Sequence, residues 1–119
     1  MTISTKQETA ATFIAKDDAI WTSEVPGVFE NHVFIDRETG ERTVIVRFEP
    51  GSSYPLHNHP GKEEIYVIEG DVKVGKYQMQ SGDYLLTPAG GKHAVTTVGG
   101  CTVLIKLDKP TEFIERRGE

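Results

Sequence analysis

The sequence predicts an all-β domain, a small antiparallel β-barrel or sandwich, and three observations predict it. Short apolar runs recur at close, regular spacing, each ended by a turn signal. Twelve glycines and six prolines are spread along the chain as punctuation, not gathered in one tract. No segment places apolar residues at i, i+3, i+4 and i+7 over three turns, so no long helix is expected. At 119 residues the chain has room for a single core. A domain of this size buries roughly two-thirds of the surface its unfolded chain exposes.

The elements follow in order. Residues 1–20 read as a polar arm, in which 9–18 form either one short helical turn or loose chain. The barrel domain spans 21–109. Its first strand, 28–36, starts after Pro26-Gly27 and stops at Glu38-Thr39-Gly40; the second, 42–48, stops at Glu49-Pro50-Gly51. Strand 54–59 ends at Pro60-Gly61-Lys62, and strand 63–69 ends at Gly70-Asp71. Strand 72–77 precedes the Ser81-Gly82-Asp83 turn. Strand 83–87 runs into Pro88-Ala89-Gly90-Gly91, strand 93–98 into Gly99-Gly100, and strand 102–107 closes the set. Residues 110–119 read as a charged, solvated C-terminal tail. Two strands break the usual alternation: Ile65, Tyr66, Val67 and Ile68 are apolar on both faces, as are Val103, Leu104 and Ile105. A strand buried on both sides lies between two layers. The second layer is then either another copy of the chain, making a homodimer, or the N-terminal arm.

Composition excludes several functions. Thirteen basic against eighteen acidic side chains give a net charge of −5, which argues against a phosphate-tracking nucleic-acid surface. Apolar stretches are only a few residues long, too short to cross a membrane. The polar start lacks the apolar region of a secretory signal. One cysteine, Cys101, allows no internal disulfide framework, so a reducing, cytoplasmic location is expected.

Chemistry concentrates in the histidines, of which there are four: His32, His57, His59 and His93. On a strand, residues two apart point to one face, so His57 and His59 can converge inside a barrel. Beyond the turn at Pro60, Glu63 shares a face with Ile65 and Val67 and can bring a carboxylate beside the imidazoles. Two imidazoles and a carboxylate suit a first-row transition metal. His93, opening a strand after a Pro-Gly-Gly turn, is the candidate third imidazole.

Residues 51–70 read G-x5-H-x-H-x3-E-x6-G, and residues 82–93 read G-x5-P-x-G-x2-H. These resemble the two cupin motifs, and the resemblance covers residues 21–107. It implies a jelly-roll-like double-stranded β-helix of two facing antiparallel sheets. It also implies His57, His59, Glu63 and His93 as the metal ligands, and as catalytic residues only in that sense. The second motif usually ends in Asn four residues after the histidine. Thr97 stands there; since that Asn is not a ligand in the family, the departure bears on local packing. Narrower features resemble the ChrR-like cupins: Gly61-Lys62-Glu63-Glu64, a Gly75-Lys76-Tyr77 hairpin, residues 100–107, and upstream Trp21, Pro26-Gly27-Val28 and residues 44–48. That group includes the zinc-binding cupin half of the anti-sigma factor ChrR and iron-dependent dioxygenases similar to acetylacetone dioxygenase.

Two functions follow as expectations. The first is a metal-dependent enzyme, an Fe(II) dioxygenase acting on a diketone or aryl ketone held in the barrel. The alternative is a non-enzymatic zinc-binding sensor or regulatory cupin. About twenty residues before the barrel are too few for a separate sigma-binding domain, which sets a stand-alone anti-sigma role aside. One divalent transition metal is expected, iron or zinc foremost, with nickel, manganese and copper also suited to the ligand set. No separate catalytic base is visible. Glu64 should face away from the site by strand parity. His32 reads as a surface or core histidine, and Cys101 as a buried thiol. Tyr54, Tyr66, Tyr77 and Tyr84 read as core or interface residues, one of which could hold substrate. Arg47 either lines the cavity mouth to bind an anion or is solvated outside.

Overall fold

Twelve residues, Glu63–Val74, form one strand that belongs to two sheets, and the architecture follows from it. The computed structural model describes residues 10–114. A 3-10 turn, Lys16–Asp18, precedes ten strands: β1 (Thr22–Val25), β2 (Val28–Ile35), β3 (Arg42–Phe48), β4 (Ser53–Asn58), β5 (Glu63–Val74), β6 (Tyr77–Gln80), β7 (Tyr84–Thr87), β8 (Lys92–Thr96), β9 (Cys101–Leu107) and β10 (Glu112–Phe113). The first sheet runs β1-β2-β3-β9-β5, with β7 on the far edge of β5. The second runs β10-β4-β8-β5, with β6 also on β5. All pairings are antiparallel. The all-β antiparallel expectation is met.

The sequence reading splits β5 into 63–69 and 72–77, because Gly70-Asp71 resembles a turn. The structure corrects this. Glu63 to Gly70 pair with β9, and Asp71 to Val74 pair with β6. Gly70 adopts φ +90°, so the chain kinks from one sheet into the other without stopping. A Cβ there would collide with the Gly100 carbonyl oxygen and sit 2.7 Å from the Cys101 Cα. The reversal comes later, at Gly75-Lys76, and Tyr77 opens β6.

Other differences are local. β1 and β10 go beyond the sequence-read strands, and His59 lies just past the end of β4. The segment read as a solvated tail begins inside the barrel: Glu112 pairs with Asn58 and Phe113 with His57. Residues 115–119 of that tail, and 1–9 of the arm, lie outside the described residues. The 3-10 turn falls within 9–18, where one helical turn was an option.

Valines dominate the core, where β-branched side chains suit a pleated surface packed on one face. Val28, Val67, Val72, Val74 and Val103 are almost wholly buried between the sheets. The outer face of the first sheet is also apolar in part. Ile45, Leu104, Tyr66 and Tyr84 are successive cross-strand partners on β3, β9, β5 and β7. Tyr66, Ile68, Tyr84 and Leu86 are each about half exposed there. Among the described residues no helix is long and apolar enough to cross a membrane.

Candidate metal centre

Three elements deliver four side chains to one end of the barrel. His57 on β4 and His93 on β8 are direct cross-strand partners. His59 is held beyond β4 by two backbone hydrogen bonds: its N–H donates to the Gly91 carbonyl (2.9 Å), and its carbonyl accepts from Gly90 N–H (2.7 Å). The glycine turn before His93 therefore also anchors His59. Glu63 opens β5 opposite Leu107 and Thr87. All four are buried, at 2, 1, 4 and 8% exposure for His57, His59, Glu63 and His93.

The three imidazoles form a near-equilateral triangle, with ring centroids 4.7, 4.8 and 4.8 Å apart. His59 Nε2 and His93 Nε2 face each other at 3.0 Å. Glu63 Oε1 lies 3.2 Å from the first and 3.3 Å from the second, yet makes no hydrogen bond of good geometry. The Pro55 carbonyl lies 2.7 Å from His57 Nδ1. That contact places the proton on Nδ1 and leaves the Nε2 lone pair free.

Burial lowers the pKa of both His57 and His59 to about 4; neighbouring imidazoles add to the effect, while for His57 the Pro55 hydrogen bond opposes it. Both rings are therefore neutral near pH 7, the form that ligates metal.

These observations fit a metal. Two imidazole nitrogens and a carboxylate oxygen that has no hydrogen bond converge within 3.0–3.3 Å, and a positive charge among them would satisfy all three. Ligands held at about 2.1 Å and at right angles would be about 3.0 Å apart. His57, His59 and His93 thus form a group that could hold a metal ion. The structure brings Glu63 to the same point.

His57 and Glu63 also line a cavity of about 380 Å³. Its wall is mainly apolar, built by Val44, Val46, Ile65, Val95, Ile105 and Phe113 among others. Of the four tyrosines only Tyr54 lines it; Tyr66, Tyr77 and Tyr84 are exposed. Tyr54 packs edge-on against His57 (5.1 Å) and beside Phe113 (5.3 Å). Burial first, then the charges of Glu30, Glu24 and Glu63, push its phenol well above the ordinary value, so it stays a neutral hydroxyl.

The remaining singled-out residues resolve as follows. Glu64 faces away and accepts a hydrogen bond from the Tyr84 hydroxyl (2.8 Å). Arg47 is outside the cavity, its guanidinium 4.4 Å over the Trp21 ring. Cys101 is buried, and desolvation, aided by Asp71, raises its thiol to about 11, which makes it a poor nucleophile at neutral pH. Thr97 is buried and donates to the Asp71 carbonyl (2.6 Å) while accepting from Gly100 N–H (2.9 Å). It clasps the Gly99-Gly100 loop against the β5 kink.

Sequence reasoning did not place two residues, His32 and Arg42, in the cavity wall. His32, read as a surface or core histidine, is part-buried, and its Nε2 meets Glu30 Oε1 at 3.0 Å in the cavity wall. Arg42, not Arg47, is the arginine that lines the cavity. Strand parity puts Glu30 with His32, and Arg42 with Val44 and Val46, on one face each, but does not say which face is inward.

A curled pair of antiparallel sheets carrying a histidine triad at one end defines a cupin. The chain belongs to the ChrR Cupin-like domain family, whose model matches residues 9–110. A DNA damage-repair/toleration protein of Arabidopsis thaliana is 40% identical over 67 residues, covering 51% of this chain and 21% of its own length. The chain thus spans about a fifth of that curated relative. An acetylacetone dioxygenase from Acinetobacter johnsonii superposes with a TM-score of 0.77 at 20% identity, covering 92% of this chain and 80% of that one. The structure of Rhodobacter sphaeroides SigE in complex with the anti-sigma ChrR matches with a TM-score of 0.69 at 19% identity, covering 79% and 51%. At these identities the two structures share the fold.

Proposed function

We propose that His57, His59, Glu63 and His93 bind one divalent transition metal, and that the chain is a metal-dependent enzyme acting on a small organic ligand in the barrel. The observation that carries this reading is where the site opens. His57 and Glu63 are at once members of the cluster and part of the cavity wall. A structural zinc site is closed by its protein ligands, whereas a catalytic one keeps a position open to an incoming molecule. Iron and zinc head the metals that suit three imidazoles and a carboxylate.

A bound metal supplies Lewis-acid activation of a ligand oxygen and, if it is iron, access to dioxygen chemistry. The chain's own groups do the rest. His57 keeps its Nδ1 proton on the Pro55 carbonyl, which fixes the ring with Nε2 towards the centre. The valine and isoleucine wall excludes water and takes the apolar body of the ligand. Tyr54, a neutral hydroxyl beside His57, can donate a hydrogen bond to a ligand oxygen.

The leading reaction is oxygenation of a diketone or aryl ketone, supported by the shared fold with acetylacetone dioxygenase. The second reading, a zinc-holding sensor, is supported by membership of the ChrR Cupin-like family. Oxygen uptake decides between them. After anaerobic Fe(II) loading, the enzyme reading predicts oxygen consumption dependent on a β-diketone or an aryl ketone. Tight zinc with no uptake under any loading contradicts it and leaves the sensor.

We also propose that the apolar outer face of the first sheet, at Tyr66, Ile68, Tyr84 and Leu86, is covered by a second copy of the chain. An exposed apolar patch on a well-packed sheet is a common mark of an interface.

A further inference from the structure

Arg42 is half-buried and lines the cavity, where it is the one lysine or arginine among the described lining residues. Its Nε–H donates to the Gly40 carbonyl at 3.1 Å. The ion pairs of the described residues are His32–Glu30, His59–Glu63 and His93–Glu63, and none includes Arg42. A guanidinium has five donors in a planar fork matched to a carboxylate. Among the described residues it has no acidic partner, so its fork can meet the carboxylate of a ligand.

Register places this fork relative to the metal cluster. Arg42 pairs with Leu107 on β9, and Leu107 pairs with Glu63 on β5. Arg42 and Glu63 therefore lie on one cross-strand row, two strand spacings or roughly 10 Å apart at Cα. Both side chains reach the cavity, with Leu107 between them. The cavity's other carboxylates, Glu24 and Glu30, make no ion pair with Arg42. Glu30 pairs with Val46, four residues along β3, roughly 13 Å away along the strand, and is engaged by His32. Arg42 shares the row of Glu63, while Glu30 lies further along β3 and is held by His32.

We propose that Arg42 is the specificity-determining residue of this cavity, and that the ligand is a small carboxylate with a mainly apolar body, its anionic group lying between Arg42 and the His57–Glu63 end. The inference rests on the reading of this cavity as the ligand site. It narrows the ligand from a neutral ketone to one that carries an acid group. A compact monoanion fits better than a phosphate ester, because the apolar wall and the three lining carboxylates, Glu24, Glu30 and Glu63, oppose a larger, multiply charged head.

The test uses two probes of equal size, phenylacetate and phenylacetamide, titrated calorimetrically into the zinc-loaded protein. Wild type should bind the acid at least tenfold more tightly than the amide. Arg42→Gln should lose about tenfold for the acid and nothing for the amide, at unchanged metal content. Arg42→Lys should restore part of the loss. The unchanged amide affinity serves as the control for folding. If the metal reading fails but this one holds, the metal-free His57→Ala/His59→Ala protein still prefers the acid, and adding Arg42→Gln removes that preference. Arg42→Gln binding acid and amide with wild-type affinities overturns the proposal, as does a wild type that binds no phenylacetate at millimolar concentration.

Discussion

His57 and His59 hold their neutral state by burial, and that has a consequence for the metal-free protein. Their folded pKa values, about 4, lie below the ordinary 6.5. As pH falls, the unfolded chain takes up these protons first, so protonation favours unfolding. The stabilisation is complete above about pH 6.5 and is lost as pH falls towards 4. Thermal denaturation of the metal-free protein should show its Tm falling across that window. Replacing both histidines by Gln should flatten the profile; an unchanged slope would show that other groups cause it. The four cluster residues were legible in the sequence because fixed short spacings on strands and one turn bring them together. Arg42 and His32 were not. Their facing depends on strand parity, and Val44, Ile45 and Val46 are apolar on both faces, which conceals it.

At the scale of elements, β5 shows what a turn signal leaves undecided. Gly70-Asp71 has the residues of a hairpin turn, and a glycine with positive φ does sit there. The difference is that Asp71 continues the strand in the second sheet, while its carboxylate accepts from the Val98 and Gly99 N–H groups at 3.1 and 2.9 Å. That contact spans 28 positions in the chain, so local sequence cannot reveal it. Gly70→Ala should destabilise the fold by about 3 kcal/mol, through strain at positive φ and collision with the Gly100 carbonyl. Urea denaturation measures this directly. A loss below about 1 kcal/mol would mean the kink relaxes and is not required for the sheet crossover. β10 escaped sequence reading for a related reason: two residues in a charged segment carry no strand signal, and only pairing with β4 makes them one.

On the scale of the whole molecule, the apolar strands β5 and β9 were expected to need cover on both faces. The inner face has it in the core; the outer face leaves Tyr66, Ile68 and Leu86 about half exposed. Sedimentation velocity should give a dimer for wild type, and Tyr66→Asp/Leu86→Asp should shift it towards monomer with metal content preserved. A wild-type monomer at micromolar concentration would leave that face without a second copy. The account as a whole depends on the cluster at the cavity end holding a metal. The most direct measurement is metal content per chain, by mass spectrometry of protein purified without chelator or affinity-tag metal, for wild type and His57→Ala/His59→Ala. The account predicts close to one transition-metal ion per chain in the wild type and none in the double variant; one ion per chain in both would contradict it.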